Sequence, residues 1–157
     1  MVKSAEEKKL NAVMKGARAI LEKETFAEAA RAIGGPVLVC EEIRGGVEVL
    51  CGLVRDPQFG PVVVVGVGGS WAEAVGGTAR AALAPIAVAD ASRLVRDVEP
   101  LAHRLDDRGI DAVASALVAL GRAAADHPQI AEIDVNPLAV RDGGGVALDA
   151  LIVLQPV

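Results

Sequence analysis

An asparagine and an aspartate come to face each other near the end of the chain if two apolar runs there form a hairpin. The runs are IAEIDVNPLAV, residues 130 to 140, and VALDALIVL, residues 146 to 154, joined by the turn-prone Asp142-Gly143-Gly144-Gly145. A turn centred on residues 142 to 143 sets Asn136 near-opposite Asp149. Cross-strand neighbours lie about 4.5–5.5 Å apart. One amide oxygen and one carboxylate at that separation suit a shared Mg2+, which takes oxygen ligands, keeps several waters and borrows phosphate oxygens from a substrate. Pro137 fixes the backbone just past the amide. The same residues also have a structural reading, with DVNP as a bulge or strand edge and Asp149 as a polar residue on a solvent face.

Other polar positions are less pointed. The glycine turn VGVGGS, residues 65 to 70, offers backbone N–H groups to a phosphate or is a plain turn. It lacks both the GxGxxG pattern and the GK[ST] of a P-loop. Glu41 and Glu42 end an apolar run, where Glu41 would either bind sugar hydroxyls of a nucleotide or point to solvent. Glu48 and Arg55 fall on the next run and also read as an exposed ion-pair face. His103 and His127 have no zinc-ligand spacing, and no serine sits in a GxSxG setting. Cys40 and Cys51 form no metal motif. A two-residue turn at Gly45-Gly46 would set them opposite each other as a pair of reduced, packed thiols.

These positions need a frame. Residues 4 to 33 repeat apolar side chains at helical spacing up to the stop at Gly34-Gly35-Pro36. β segments follow in PVLVCEEI, VEVLCGLVRD and GPVVVVGV, with a turn at Asp56-Pro57. ALAPI reads as a short strand closed by Pro85. A helix from Asp90 or Ser92 to Val98 is expected, then a short helix over 101–107 ending at Arg108-Gly109, then a clear helix over 111–125. The run of strands, then helices, then strands predicts an α+β fold, a mainly antiparallel sheet flanked by helices on one or both faces. Two parts are expected: an N-terminal helical segment, 1–34, and a sheet-bearing lobe, 35–157.

Composition narrows the function. The 157 residues are 52% hydrophobic but only 2% aromatic, which leaves little for base stacking. A net charge of −5 opposes binding to nucleic acid or to an anionic membrane. No apolar run approaches the roughly 20 residues of a membrane span. The start, MVKSAEEKKL, is charged and followed by no apolar run, so a cytoplasmic protein is expected.

Three stretches go beyond spacing: VLVCEEIRGGVEVLCGLVRDPQFGPVVVVGVGG, LAPI, and AEIDVNPLAVRDGGGVALDALIVL. In this order they resemble the C-terminal lobe of the ATP-grasp domain of NDP-forming acyl-CoA synthetases, such as ADP-forming acetate–CoA ligase. They resemble the β subunit of succinyl-CoA synthetase more distantly. The resemblance covers residues 36 to 154, and RDPQFGP and EIDVNPL are its most specific parts. It implies two α+β lobes clamping Mg·ATP. It also implies a reaction coupling acyl-CoA, ADP and phosphate to acid, CoA and ATP through a phosphohistidine. Position by position, Asn136 and Asp149 match the magnesium pair, and Glu41 the acidic residue near the adenosine. Val39 lies where backbone meets the base, and Glu48, Arg55 and Glu73 match polar positions around the cleft.

The chain departs from that family too. It shows no first ATP-grasp lobe with a lysine in an apolar strand, no HKSD-like segment, and no CoA-binding or ligase domain. Where the family tends to carry an arginine before LAP, this chain has Ala82, and Arg80 nearby is expected on the opposite face. The resemblance therefore implies one jaw of a clamp, binding Mg2+ and ATP or ADP weakly and inactive alone. A partner chain would supply the missing lobe and CoA-ligase domains. The alternative is a non-catalytic, ATP-grasp-like binding or regulatory scaffold, alone or as a homodimer.

Overall fold

The computed structural model describes residues 41–69, 72 and 78–155, together with Glu28, Arg31 and Gly34. The chain divides into two compact units, Met1–Glu42 and Ile43–Val157. In the first, Glu28 and Arg31 are helical and Gly34 adopts a φ of 63°, a conformation suited to ending a helix. The remainder of the helical pattern in residues 4–33, and the run 36–40, lie outside the described residues.

The second unit is built on an antiparallel sheet. Its strands are β1 (Val47–Asp56), β2 (Gly60–Val67), β3 (Ala79–Leu83), β4 (Ile130–Arg141), β5 (Gly144–Ala147) and β6 (Ala150–Leu154). Their order is β3-β2-β1-β4-β5, with β6 beside β4 further along the same edge. Two tight connections set the register. At Asp56 the carboxylate accepts from the backbone N–H of Gln58 and Phe59 at 2.8 and 2.9 Å, closing the β1–β2 turn. At Asp142-Gly143 both residues take positive φ, 53° and 74°, as a type I′ hairpin requires.

Three helices follow β3: α1 (Val88–Arg96), α2 (Glu99–Ala102) and α3 (Asp107–Asp126). α3 packs on β1, β2 and β4, and α1 on β2, β3 and α3. Strand alternation sends Val49, Cys51 and Leu53 of β1 and Val63, Val65 and Val67 of β2 to that side, where Leu101, Val113 and Leu117 cover them. The buried core of the described residues holds no polar side chain. Burial pushes the Cys51 thiol up to about 12.

The alternation breaks twice along β4, once at Ile130–Glu132, where the pairing with β6 slips by one residue, and once opposite Leu50. Val49 pairs with Leu138 and Cys51 with Val135, so Leu50 opposes two residues, Asn136 and Pro137. This bulge keeps Ile133 and Val135 before it, and Leu138 and Val140 after it, on the helix side. The neighbouring edge matches it: Leu138 pairs with Ala147 and Val135 with Ala150, leaving Leu148-Asp149 as the facing step.

Several expectations are corrected. β1 is paired with β2 on one side and β4 on the other, with Cys51 flanked by Val65 and Val135. Both its ladder edges are taken, so a hairpin that sets Cys40 beside it is excluded. Arg108-Gly109 does not end a helix but opens α3, because the Asp106 carboxylate caps Gly109 N–H at 2.8 Å. The helix expected to Val98 ends at Arg96, and Pro100 stands in the first turn of α2, where no N–H is needed. The last β segment is two strands, split at Leu148-Asp149 by the bulge. Arg80 and Ala82 pair with Val65 and Val63, both buried on the helix side, so they share a face as residues two apart in a strand must.

Candidate functional site

The side of the sheet away from the helices carries the candidate residues. Asn136 and Asp149 stand opposite each other in one unbroken register, between the pairs Val135–Ala150 and Leu138–Ala147. Asn136 N–H donates to the Asp149 carbonyl at 3.2 Å, and Leu148 N–H to that of Pro137 at 2.9 Å. Asn136 is half-buried and Asp149 exposed. Stepping from Val135 and Ala150, which face the helices, both residues turn to the uncovered side.

Behind this pair lies the glycine turn after β2. Gly68 N–H donates to the Glu48 carbonyl at 3.0 Å. A Cβ on Gly68 would come within 2.6 Å of the Val49 carbonyl carbon, so only glycine lets the turn lie this close to β1. Gly69, at φ 62°, packs directly on the Glu48 carboxylate. Its N–H donates to Asn136 Oδ1 at 3.0 Å. One hydrogen bond thus ties β4 to the turn, and Glu48, Gly69 and Asn136 meet at one point, with Asp149 on the next strand.

The donor chemistry is that of a hard cation. It offers an amide oxygen and carboxylates, with no sulfur and no imidazole. Asn136 Oδ1 keeps a second lone pair after accepting from Gly69. Among the described residues no three His, Cys, Asp or Glu side chains gather at one place. A cation held here would need water and ligand oxygens to complete its shell, and the exposed Asp149 leaves room for them.

The other expected residues are elsewhere or not described. Arg55 lies on the helix side, where Nε donates to the Ile130 carbonyl at 3.0 Å and Nη2 to that of Ala124 at 2.8 Å. It fastens the end of α3 and the start of β4 to β1, which accounts for it structurally. Glu41 is exposed and outside any strand, in the first unit. Val39 and Glu73 lie outside the described residues. Gly69 is the position that sequence reasoning valued least: a short glycine run reads as a turn, and only the fold shows that it meets Asn136.

Comparison with known proteins agrees with this architecture. Residues 7–154 match the family model described as an ATP-grasp domain, and the chain belongs to that family. Within it, the chain is 36% identical over 123 residues to an ADP-forming acetate–CoA ligase of Archaeoglobus fulgidus, matching 75% of this chain and 18% of that protein. It is 34% identical to the β subunit of an ADP-forming acetate–CoA ligase of Pyrococcus furiosus, over 75% of this chain and 53% of that one. An acetyl-coenzyme A synthetase of Ca. Korarchaeum cryptofilum, solved with coenzyme A and Mg-AMPPCP, superposes with a TM-score of 0.73 at 34% identity, over 82% of this chain and 62% of that one. The chain is therefore homologous to the β subunits of ADP-forming acyl-CoA synthetases and spans about half their length.

Proposed function

We propose that this chain supplies one wall of an Mg·nucleotide site to an ADP-forming acid–CoA ligase. Asn136 and Asp149 would hold the cation. Bound Mg2+ would neutralise phosphate charge. Glu48 packs behind the glycine turn and adds negative potential favouring a cation. Gly68 and Gly69 are the turn residues nearest the phosphates in this reading. Val39 and Glu41, by resemblance, would flank the base and ribose. The observation that carries the reading is the facing of Asn136 and Asp149 at the step between the β4–β6 and β4–β5 ladders, with the Asn136 amide anchored to Gly69.

Phosphoryl transfer depends on groups closing from several sides, so a partner chain would supply the opposing lobe and the CoA-ligase domains. A relative in Pyrococcus furiosus is itself a β subunit, which supports this. Among the described residues no helix is long and apolar enough to cross a membrane, and we place the protein in the cytoplasm, where nucleotide is abundant.

Titration calorimetry with Mg·ATP and Mg·ADP tests the proposal. Weak binding is expected, falling roughly tenfold or more in Asn136→Ala and in Asp149→Ala, the scale at which a metal site loses a supporting group. Thermal melts should move little. Binding that survives both substitutions, or no binding at millimolar nucleotide by an intact fold, would replace this function with that of a non-catalytic scaffold.

A further inference from the structure

β6 pairs with β4 on one side, and among the described residues nothing pairs with its other side. Sheet edges are normally guarded by a charge, a proline or a bulge. Ala150–Leu154 reads ALIVL and has no such guard, and every residue in it is exposed. Leu151 is 40%, Ile152 57% and Leu154 59% exposed. Bonds at the two ends of the strand fix which backbone groups are free. The Asp149 carbonyl accepts from Asn136 N–H at 3.2 Å, and Gln155 N–H donates to the Gln129 carbonyl at 2.8 Å. Positions 149, 151, 153 and 155 therefore bond inward, and the N–H and C=O of Ala150, Ile152 and Leu154 point outward.

We propose that two copies of this chain join edge to edge through β6, antiparallel about a two-fold axis at Ile152, into one continuous sheet. The occupant is a second copy because the strand is complementary to itself. About that axis Ile152 meets its own counterpart, Ala150 meets Leu154 and Leu151 meets Val153. Each outward donor then finds an outward acceptor. The axis is perpendicular to the sheet, so the helix-covered faces of both copies lie on the same side. Apolar side chains meet apolar side chains, and no like charges are opposed. One strand on one strand buries less than the roughly 800 Å² per partner of a stable interface. The dimer is therefore concentration-dependent.

Sedimentation velocity from micromolar to near-millimolar protein reads this directly. The wild type is expected to pass from the mass of one chain to that of two. Ile152→Lys sets two ammonium groups side by side at the axis. Ile152→Pro removes one outward donor, which an edge strand tolerates. Both variants should stay monomeric across the range with an unchanged circular dichroism spectrum. Register is read by cysteines in a Cys40→Ser background. Ile152→Cys should crosslink to itself, since Cα atoms of such a pair lie about 5.5 Å apart. Leu154→Cys alone should not, but it should crosslink when mixed with Ala150→Cys. A protein that is monomeric at every concentration overturns the proposal. So does a dimer that Ile152→Lys leaves intact, which would place the contact elsewhere, such as the uncovered face.

Discussion

On the helix-covered face of the sheet, Val49, Cys51, Leu53, Val63 and Val65 are at most 1% exposed, whereas on the other face Val54, Leu83 and Val153 are 42%, 59% and 38% exposed. The same strands supply both sets, since alternate residues point to opposite sides. The covered face holds the fold together. The uncovered face carries Glu48, Asn136 and Asp149 among apolar residues that this lobe alone does not shield. Apolar area left open beside a polar cluster is the mark of a surface meant to be covered by something else. Stability and chemistry are thus separated by the thickness of one sheet, and substitutions on the two sides should fail differently.

The largest effect should come from the covered side. Leu53→Ala is expected to cost about 2–5 kcal/mol in urea unfolding, because it leaves a cavity in a packed core. An equal loss from a substitution on the uncovered side would sink the separation. Alkali should also act through the covered side. The Cys51 thiol is held up to about 12 by burial, so the unfolded chain gives up that proton first. Its contribution is complete below the unfolded thiol's range near 9 and is lost as pH rises towards 12. The urea midpoint of the wild type should fall more steeply across that window than that of Cys51→Val. Native Cys51 should also resist thiol reagents at neutral pH.

Gly68→Ala sharpens the comparison at the border between the faces. The added methyl meets β1 backbone, so a loss of about 1–3 kcal/mol is expected, together with weaker nucleotide binding as the turn moves from Asn136. The smallest effect belongs to Leu83→Ala, which should change stability by no more than about 0.5 kcal/mol despite removing a large apolar side chain.

Much of the lobe could be read without coordinates. β2 matches the GPVVVVGV run, and α3 contains the helix expected over 111–125. The sum of residue numbers about Asp142-Gly143 set Asn136 against Asp149, because a two-residue turn fixes the register of everything beyond it. Three features were not legible. Alternation within β1 does not reveal that both its edges are paired, so a local hairpin with the preceding run looked natural. Asp106 falls within the short helix expected over 101–107 until its carboxylate is seen capping Gly109 N–H. Arg55 looked like a cleft residue by its motif, but its partners are carbonyls distant in sequence, which no local pattern records.

The matched extra residues at Asn136-Pro137 and Leu148-Asp149 bear on how this stretch can change over generations. Deleting Pro137 would turn Leu138 and Val140 to the opposite face of the sheet and set Ala139 against the helices, whereas replacing it would disturb only its neighbours. The identity of residue 137 is therefore freer to drift than the length of the step. Among relatives, a gap or insertion there should therefore appear only with a compensating one at 148–149, and the count of residues is the trait to follow.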